Sequence, residues 1–140
     1  MNDGMSLIEI LLSISVLALM AIISVPVSVG WYRAYNLNAE VDKMWFVLAT
    51  ARARAQTNMQ NQPSGVWFGE HAYVLFSGDT YDANNPLDDN FILDGSIRIT
   101  STQNPIVFQN ISALSTGGVI TLAAGNTSRT ISINTEGFMW

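Results

Sequence analysis

The chain contains no cysteine, and His71 is its single histidine among 140 residues. Without cysteine there is no disulfide, no thiolate metal site, no lipidated cysteine and no cysteine nucleophile. One histidine cannot form the histidine cluster that zinc sites use, and we expect His71 to lie at a strand edge. The sequence therefore predicts no resident metal and no cofactor.

Basic residues are also scarce, since six Lys and Arg stand against eleven Asp and Glu, for a formal net charge of −5. An acidic chain has no general attraction for nucleic acid or for anionic lipid. A nucleic-acid surface would have to use four scattered arginines, which make a weak electrostatic case. We do not expect nucleic acid as a partner, and the weak candidates for such contacts are Arg52, Arg54, Arg98 and Arg129.

The sequence shows no recognisable catalytic pattern. Serine, threonine and acidic residues are present, but their order singles out no nucleophile, base and orienting acid. There is no glycine-rich loop of the kind that binds phosphate. We expect a protein that is not an enzyme.

One stretch after residue 78 is rich in aspartate and asparagine, which is the composition that a calcium site uses. Its spacing does not match the EF-hand loop. A solvated acidic loop is the favoured interpretation, and the weak calcium candidates within it are Asp82, Asp88 and Asp89.

The chain does contain a long apolar segment, residues 5–29, in which Glu9 is the one charged side chain. Twenty-five residues of helix extend about 37 Å, and a bilayer core is about 30 Å thick. The aliphatic residues of the segment can offset the cost of one acid, which is about 2.5 to 3.5 kcal/mol at a helix centre. The segment is therefore predicted to span a membrane, and Glu9 should have a partner in the assembled state.

Two ordinary explanations of this segment remain open. A cleaved signal peptide would use Ser28, Val29 and Gly30 as its processing site and leave Trp31 as the new N-terminus. That explanation lacks the usual basic residues before the apolar run. A plain membrane anchor fits the length but gives no reason for Glu9.

A third explanation comes from a resemblance carried by the residues that lead into the helix, Gly4-Met5-Ser6-Leu7-Ile8-Glu9. This pattern resembles the class III leader of type IV pilins and type II secretion pseudopilins. The resemblance implies that prepilin peptidase cuts between Gly4 and Met5 and that the new amine of Met5 is methylated. It also implies that Glu9 stays inside the helix for assembly, and that Pro26 matches a proline common in the family.

The chemistry of these residues is consistent with assembly between helices. A neighbouring subunit's Glu9 can pair with the amine of Met5, which would fix the axial stagger of the two helices. Pro26 lacks a backbone donor and would clash with the carbonyl of Ile22, so a bend or local loosening is expected there.

Beyond Gly30 the apolar residues recur at three- and four-residue steps, which predicts an amphipathic continuation of the same helix. The residues of this apolar face are Val41, Met44, Trp45, Leu48, Ala51, Ala55 and Met59. The helix is expected to run from about Ser6 to Gln60 and to end before Pro63. Its face of Met44, Trp45 and Leu48 is predicted to pack on a domain.

From Pro63 the apolar pattern has period two, which predicts strands near residues 65–68, 72–76, 91–93, 96–100, 106–109, 118–123, 129–134 and 138–139. Hairpin turns are expected at residues 93–96 and 124–126. The predicted fold is α+β and pilin-like: a long N-terminal helix, transmembrane in its first half, packed on an antiparallel β-sheet domain. The predicted divisions are a leader at 1–4, a transmembrane half at 5–29, an amphipathic half at 30–62 and a β-rich globular domain at 63–140.

The C-terminal half also resembles GspH/FimT-type minor pseudopilins and minor pilins, in residues 106–108, 117–122 and 128–133 and in Glu136-Gly137. The resemblance implies a structural subunit of a type IV pilus or type II secretion pseudopilus, at its tip or in its initiation. Its partners would be other pilins, prepilin peptidase, the membrane and the inner-membrane assembly platform. The implied location is the inner membrane, with a periplasmic or extracellular domain. The alternative is a membrane-anchored binding module, an adhesin or a DNA-uptake receptor.

Overall fold

A single helix and seven strands form the fold in a computed structural model, which describes residues 6–59 and 61–140, except for the side chains of residues 23–29. The helix, α1, spans Leu7–Gln56. The strands are β1 (Ser64–Phe68), β2 (Ala72–Ser77), β3 (Asp89–Ile92), β4 (Ile97–Ser101), β5 (Ile106–Phe108), β6 (Gly118–Ala124) and β7 (Thr127–Ile133). The α+β class and the helix packed on antiparallel strands confirm the coarse prediction.

Helix α1 ends four residues earlier than the sequence predicts. Asn58 takes a left-handed conformation with φ of 51°. Its N–H bonds the carbonyl of Ala55, and the N–H of Met59 reaches back to the carbonyl of Arg54. This pair of bonds is the Schellman motif that closes helices, and asparagine is the usual substitute for glycine at its left-handed position. The proline at 63 therefore follows the helix end and does not cause it.

The strands form two antiparallel sheets, where the sequence predicts one sheet region. The first sheet has the order β3-β2-β1-β5 and the second has the order β4-β6-β7. The β6–β7 connection is the predicted hairpin: Ala124 pairs with Thr127, and Gly125 has φ of 61°. A two-residue turn with positive φ matches the twist of the strands that it joins.

The other predicted hairpin, at residues 93–96, is wrong. Strand β3 pairs with β2 in the first sheet, whereas β4 pairs with β6 in the second. Asp94 accepts hydrogen bonds on Oδ1 from the N–H and the hydroxyl of Ser96, at 2.8 and 2.6 Å. These bonds stabilise a tight turn, because aspartate readily bonds the backbone two residues on. The turn carries the chain from one sheet to the other.

The core of the unit that begins at Ala34 lies between the helix and both sheets. One helix face is fully buried there, and it contributes Leu37, Met44, Leu48, Ala51 and Ala55. It packs in one cluster with inward residues of both sheets, among them Val66, Tyr73, Leu75, Ile97, Ile106, Phe108, Ile120, Leu122 and Ile131. Burying a large aliphatic side chain stabilises the fold by about 1.5 to 3 kcal/mol.

Two residues assigned to the buried helix face lie elsewhere. Trp45 is 44% exposed and Met59 is 73% exposed, whereas Met44 and Leu48 are buried as predicted. Trp45 follows Met44 by one residue, which turns it about 100° around the helix and away from the core. Met59 lies beyond the helix end, so the helical period no longer applies to it.

Contacts divide the chain into two compact units between Arg33 and Ala34. Among the described residues, no helix combines the length and the hydropathy of a membrane-crossing segment. The prediction that the first half of α1 is transmembrane is thus not supported by the described structure.

A test of the packing in the first sheet uses Gly65. A Cβ at this position would lie 2.7 Å from the carbonyl oxygen of Ile106 and 2.8 Å from the ring of the buried Phe76. We expect Gly65→Ala to destabilise the protein by about 1 to 3 kcal/mol, because neither neighbour can move freely. The free energy of unfolding from urea denaturation measures this. Gly95→Ala is the matched control, since nothing lies within 4 Å of a Cβ there.

Candidate assembly interface

The first turns of helix α1 place Glu9 on an exposed apolar surface. The N–H of Glu9 donates to the carbonyl of Ser6 at 3.0 Å, which begins the helical pattern. The Glu9 carbonyl also accepts the hydroxyl proton of Ser13 at 2.8 Å, so Ser13 has its hydrogen bond within the helix. The side chain of Glu9 itself is exposed. Within the described residues, no ion pair involves this carboxylate.

Apolar side chains surround Glu9 along the helix. The large ones in this stretch are between 44% and 77% exposed: Leu7, Ile8, Ile10, Leu11, Leu12, Ile14, Val16, Leu17, Leu19, Met20 and Ile22. A soluble monomer rarely exposes a contiguous apolar surface of this extent, and such surfaces mark contacts with membranes or other proteins. This stretch of α1 is therefore the candidate interface.

The remaining residues of the predicted assembly site are less fully described. Gly4 and Met5, the predicted cleavage and methylation sites, lie outside the described residues. Pro26 lies within the bounds of α1, but its side chain is outside the description. Of the four residues Gly4, Met5, Glu9 and Pro26, the structure thus describes the side-chain environment of Glu9.

The acidic loop between β2 and β3 is organised by its own hydrogen bonds. Asp82 accepts the N–H of Asn84 at 3.0 Å, and Asp88 accepts the side-chain amide of Asn85 at 2.7 Å. Asp89 instead pairs with Arg54 of the helix at 2.8 Å. In the part of the chain that the structure describes, no three acidic or histidine side chains come together as metal ligands. The three calcium candidates are therefore used in separate local contacts.

Asp88 differs from its neighbours because one of its oxygens, Oδ2, is buried without a hydrogen-bond partner within the described residues. Burial raises the pKa of this carboxyl, and the negative charges of Asp82 and Asp89 raise it further. The backbone of Ser77 acts in the opposite direction and lowers the pKa. The ionised form of Asp88 is thus less favourable in the folded protein than in the unfolded chain.

The four arginines considered for nucleic acid do not form one patch. Arg54 is engaged by Asp89, and the guanidinium of Arg52 lies 4.8 Å from the ring centre of Phe138. Arg98 lies on β4 and Arg129 on β7, the two outer strands of the second sheet. A phosphate backbone needs several free cations along one surface, so this arrangement gives the DNA-receptor alternative no support.

A cleft that the sequence does not reveal lies beside the pair of Arg54 and Asp89. Its volume is about 190 Å³, and it is lined by Arg54, Met59, Gln62, Ser64, Ser77, Leu87 and Asp89. The carboxylate is already paired with the guanidinium, and the lining contains no histidine to act as a base. Its residues come from the helix end and three later segments, which no local pattern could bring together.

The raised pKa of Asp88 predicts a pH-dependent effect of Asp88→Asn. A carboxyl whose pKa is raised by folding destabilises the native state when ionised, and this penalty disappears as the pH falls through the raised value. Asp88→Asn should therefore raise the melting temperature at about pH 7, and the gain should shrink towards about pH 4. Asp79→Asn in the same loop is the charge-matched control. An equal gain at both pH values would contradict the prediction.

Comparison with known proteins gives a structural likeness. The fold is similar to that of the minor pseudopilin EpsH from the type 2 secretion system of Vibrio cholerae, with a TM-score of 0.59. The match covers 75% of this chain and 94% of that chain at 10% sequence identity. No protein-family model and no curated protein matches the sequence. At this identity the likeness shows the fold alone, and the chain has a pseudopilin-like fold.

Proposed function

We propose that this chain is a structural subunit of a type II secretion pseudopilus or a type IV pilus, one that acts at the tip or in initiation. The observation that carries the proposal is Glu9, a single acid on the exposed apolar surface of α1, in a chain with a pseudopilin-like fold. The GspH/FimT-type resemblance of the C-terminal half supports a minor subunit. A subunit of this kind assembles and has no substrate of its own.

Glu9 acts in this proposal through a neighbouring subunit. When apolar helices pack together, an unpaired carboxylate among them loses its hydration, at a cost of several kcal/mol. The methylated amine of a neighbour's Met5 would offset this cost if the two helices are displaced along their axes by the right distance. Other displacements leave both charges buried and unpaired. The pair therefore selects one stagger among many that the apolar residues alone would permit.

Before assembly, the subunit is held in the inner membrane by residues 5–29 and processed by prepilin peptidase between Gly4 and Met5. This step rests on the sequence, because the described part of α1 does not itself meet the requirements of a membrane span. Met5 is then methylated, and the inner-membrane assembly platform moves the subunit into the filament. The domain that begins after the apolar segment lies on the periplasmic or extracellular side.

Pro26 has a separate role in the same helix. A proline inside a helix removes one backbone hydrogen bond and crowds the carbonyl four residues earlier. We propose that this weak point lets α1 loosen locally as the subunit leaves the membrane for the filament. This loosening concerns the transfer of α1 from the membrane to the filament, and it does not involve the pair of Glu9 and Met5.

The test of this function is Glu9→Ala in cells that carry the cognate secretion or pilus machinery. Removal of one partner from a buried ion pair costs on the order of 3 to 5 kcal/mol, so incorporation into sheared filaments should fall by at least about a hundredfold. Immunoblots of the filament and membrane fractions measure this. The membrane level should match the wild type.

Asp42→Ala is the matched control, because it removes an exposed acid from the same helix. It should leave incorporation unchanged. Normal incorporation of Glu9→Ala would contradict the proposed role of the carboxylate, and equal losses in both variants would point to helix damage and not to pairing.

A further inference from the structure

The outer edge of β7 is only partly covered by the chain itself. Ser132 exchanges two backbone hydrogen bonds with Trp140, at 3.0 and 3.1 Å, and the N–H of Asn134 donates to the carbonyl of Phe138. The C-terminal residues thus act as a short added strand along the last part of β7. The covered part ends at Ser132, while β7 begins at Thr127.

The uncovered part of the edge presents backbone groups that can bind another strand. In an antiparallel pair, successive residues direct their backbone groups to alternate sides. Since Ser132 faces Trp140, Thr130 and Ser128 face the same outer side. The Ser128 carbonyl accepts the Arg129 guanidinium of its own chain at 3.2 Å. Among the described residues, no partner bonds the N–H or the carbonyl of Thr130 on that side.

The charge of the second sheet shows what kind of strand fits. Strands β4, β6 and β7 contain two charged side chains, Arg98 and Arg129, and both are exposed. The whole chain has a net charge of −5, whereas these three strands contain no acidic side chain, and Arg129 is the charged residue on β7. An incoming carboxylate can replace the Ser128 carbonyl as the acceptor for Arg129. That exchange frees the carbonyl for a backbone donor of the incoming strand.

We propose that the edge from Thr127 to Ile131 binds an extended acidic segment of a different subunit, which adds a strand to the second sheet beside the C-terminal residues. Backbone bonds at Thr130 and Ser128 would hold the segment, and a carboxylate paired with Arg129 would select it. A second copy of β7 fits less well, because it would bring a second arginine to the same edge. Exposed edges are commonly protected by charged side chains, and Arg129 has that role in the free protein.

The probe is a synthetic peptide of about eight residues, alternating threonine and glutamate with both ends blocked, labelled for fluorescence anisotropy. It is added to the full chain in detergent micelles. We expect saturable binding that weakens as salt is raised, and at least tenfold weaker binding of the peptide with lysine in place of glutamate. Absence of saturation up to about 1 mM peptide, or equal binding of the lysine peptide, would overturn the proposal.

Two pairs of variants locate the contact. Thr130→Pro removes the outward N–H without touching a bond to β6, and Thr130→Val keeps that N–H. Arg129→Glu reverses the charge at the edge, and Arg33→Glu makes the same change on α1 outside the sheet. Thr130→Pro and Arg129→Glu should each weaken binding at least tenfold, while the two controls should not.

Amide hydrogen exchange of the unaltered chain gives a readout that does not depend on how the variants fold. Added glutamate peptide should slow exchange at Thr130 and Ser128 and leave Ile131 unchanged, since Ile131 already faces β6. Binding without this protection would place the peptide elsewhere and overturn the proposal. The result is independent of the Glu9 experiment, so failure of either one leaves the other interpretable.

Discussion

The packing of one face of helix α1 against two sheets is the constraint on which the domain depends. Met44, Leu48 and Ala51 are fully buried, and they join inward residues of both sheets in a single cluster. The end of the helix is fixed at the same place, because the carbonyl of Ala55 accepts the N–H of Ile111 from a distant loop. Loss of this helix face would therefore expose both sheets together.

The same helix has two surfaces of different character. From Ala34 onward, one face is buried in the core of its own unit. Between Leu7 and Ile22 the side chains are exposed and mostly apolar, and Glu9 is the one that carries a charge. The first kind of surface stabilises the folded chain, whereas the second is available for contacts with lipid or with other proteins. In the proposed function, stability and assembly thus use different parts of one continuous element.

The sequence predicted the features that arise from local periodicity. Apolar spacing indicated the helix and its buried face, and alternation indicated the strands. It failed where a single residue or a distant partner decides the structure. Asn58 ended the helix through its left-handed conformation, and the Asp94 turn joined two sheets where a hairpin was expected. A dipeptide such as Asp-Gly indicates a turn but not which strands lie beyond it.

The same contrast between local sequence features and contacts of distant segments holds for the candidate site. Glu9 was identified from the sequence because an isolated acid in an apolar segment stands out without any structure. The pairing of Arg54 with Asp89 and the open edge at Thr130 depend on how separate segments meet, so they required the structure. The partner of Glu9 would belong to another subunit, and that part of the site follows from charge and burial and not from a contact within this chain.

The most direct test of the central claim is the intact mass and the N-terminal residue of the protein recovered from membranes in which its prepilin peptidase is present. A chain that begins with methylated Met5 is the predicted result, since it requires both the proposed cleavage after Gly4 and the proposed methylation of Met5. A chain that still begins with Met1, or one that begins with Trp31, would contradict the account, because neither form places a free or methylated amine four residues before Glu9.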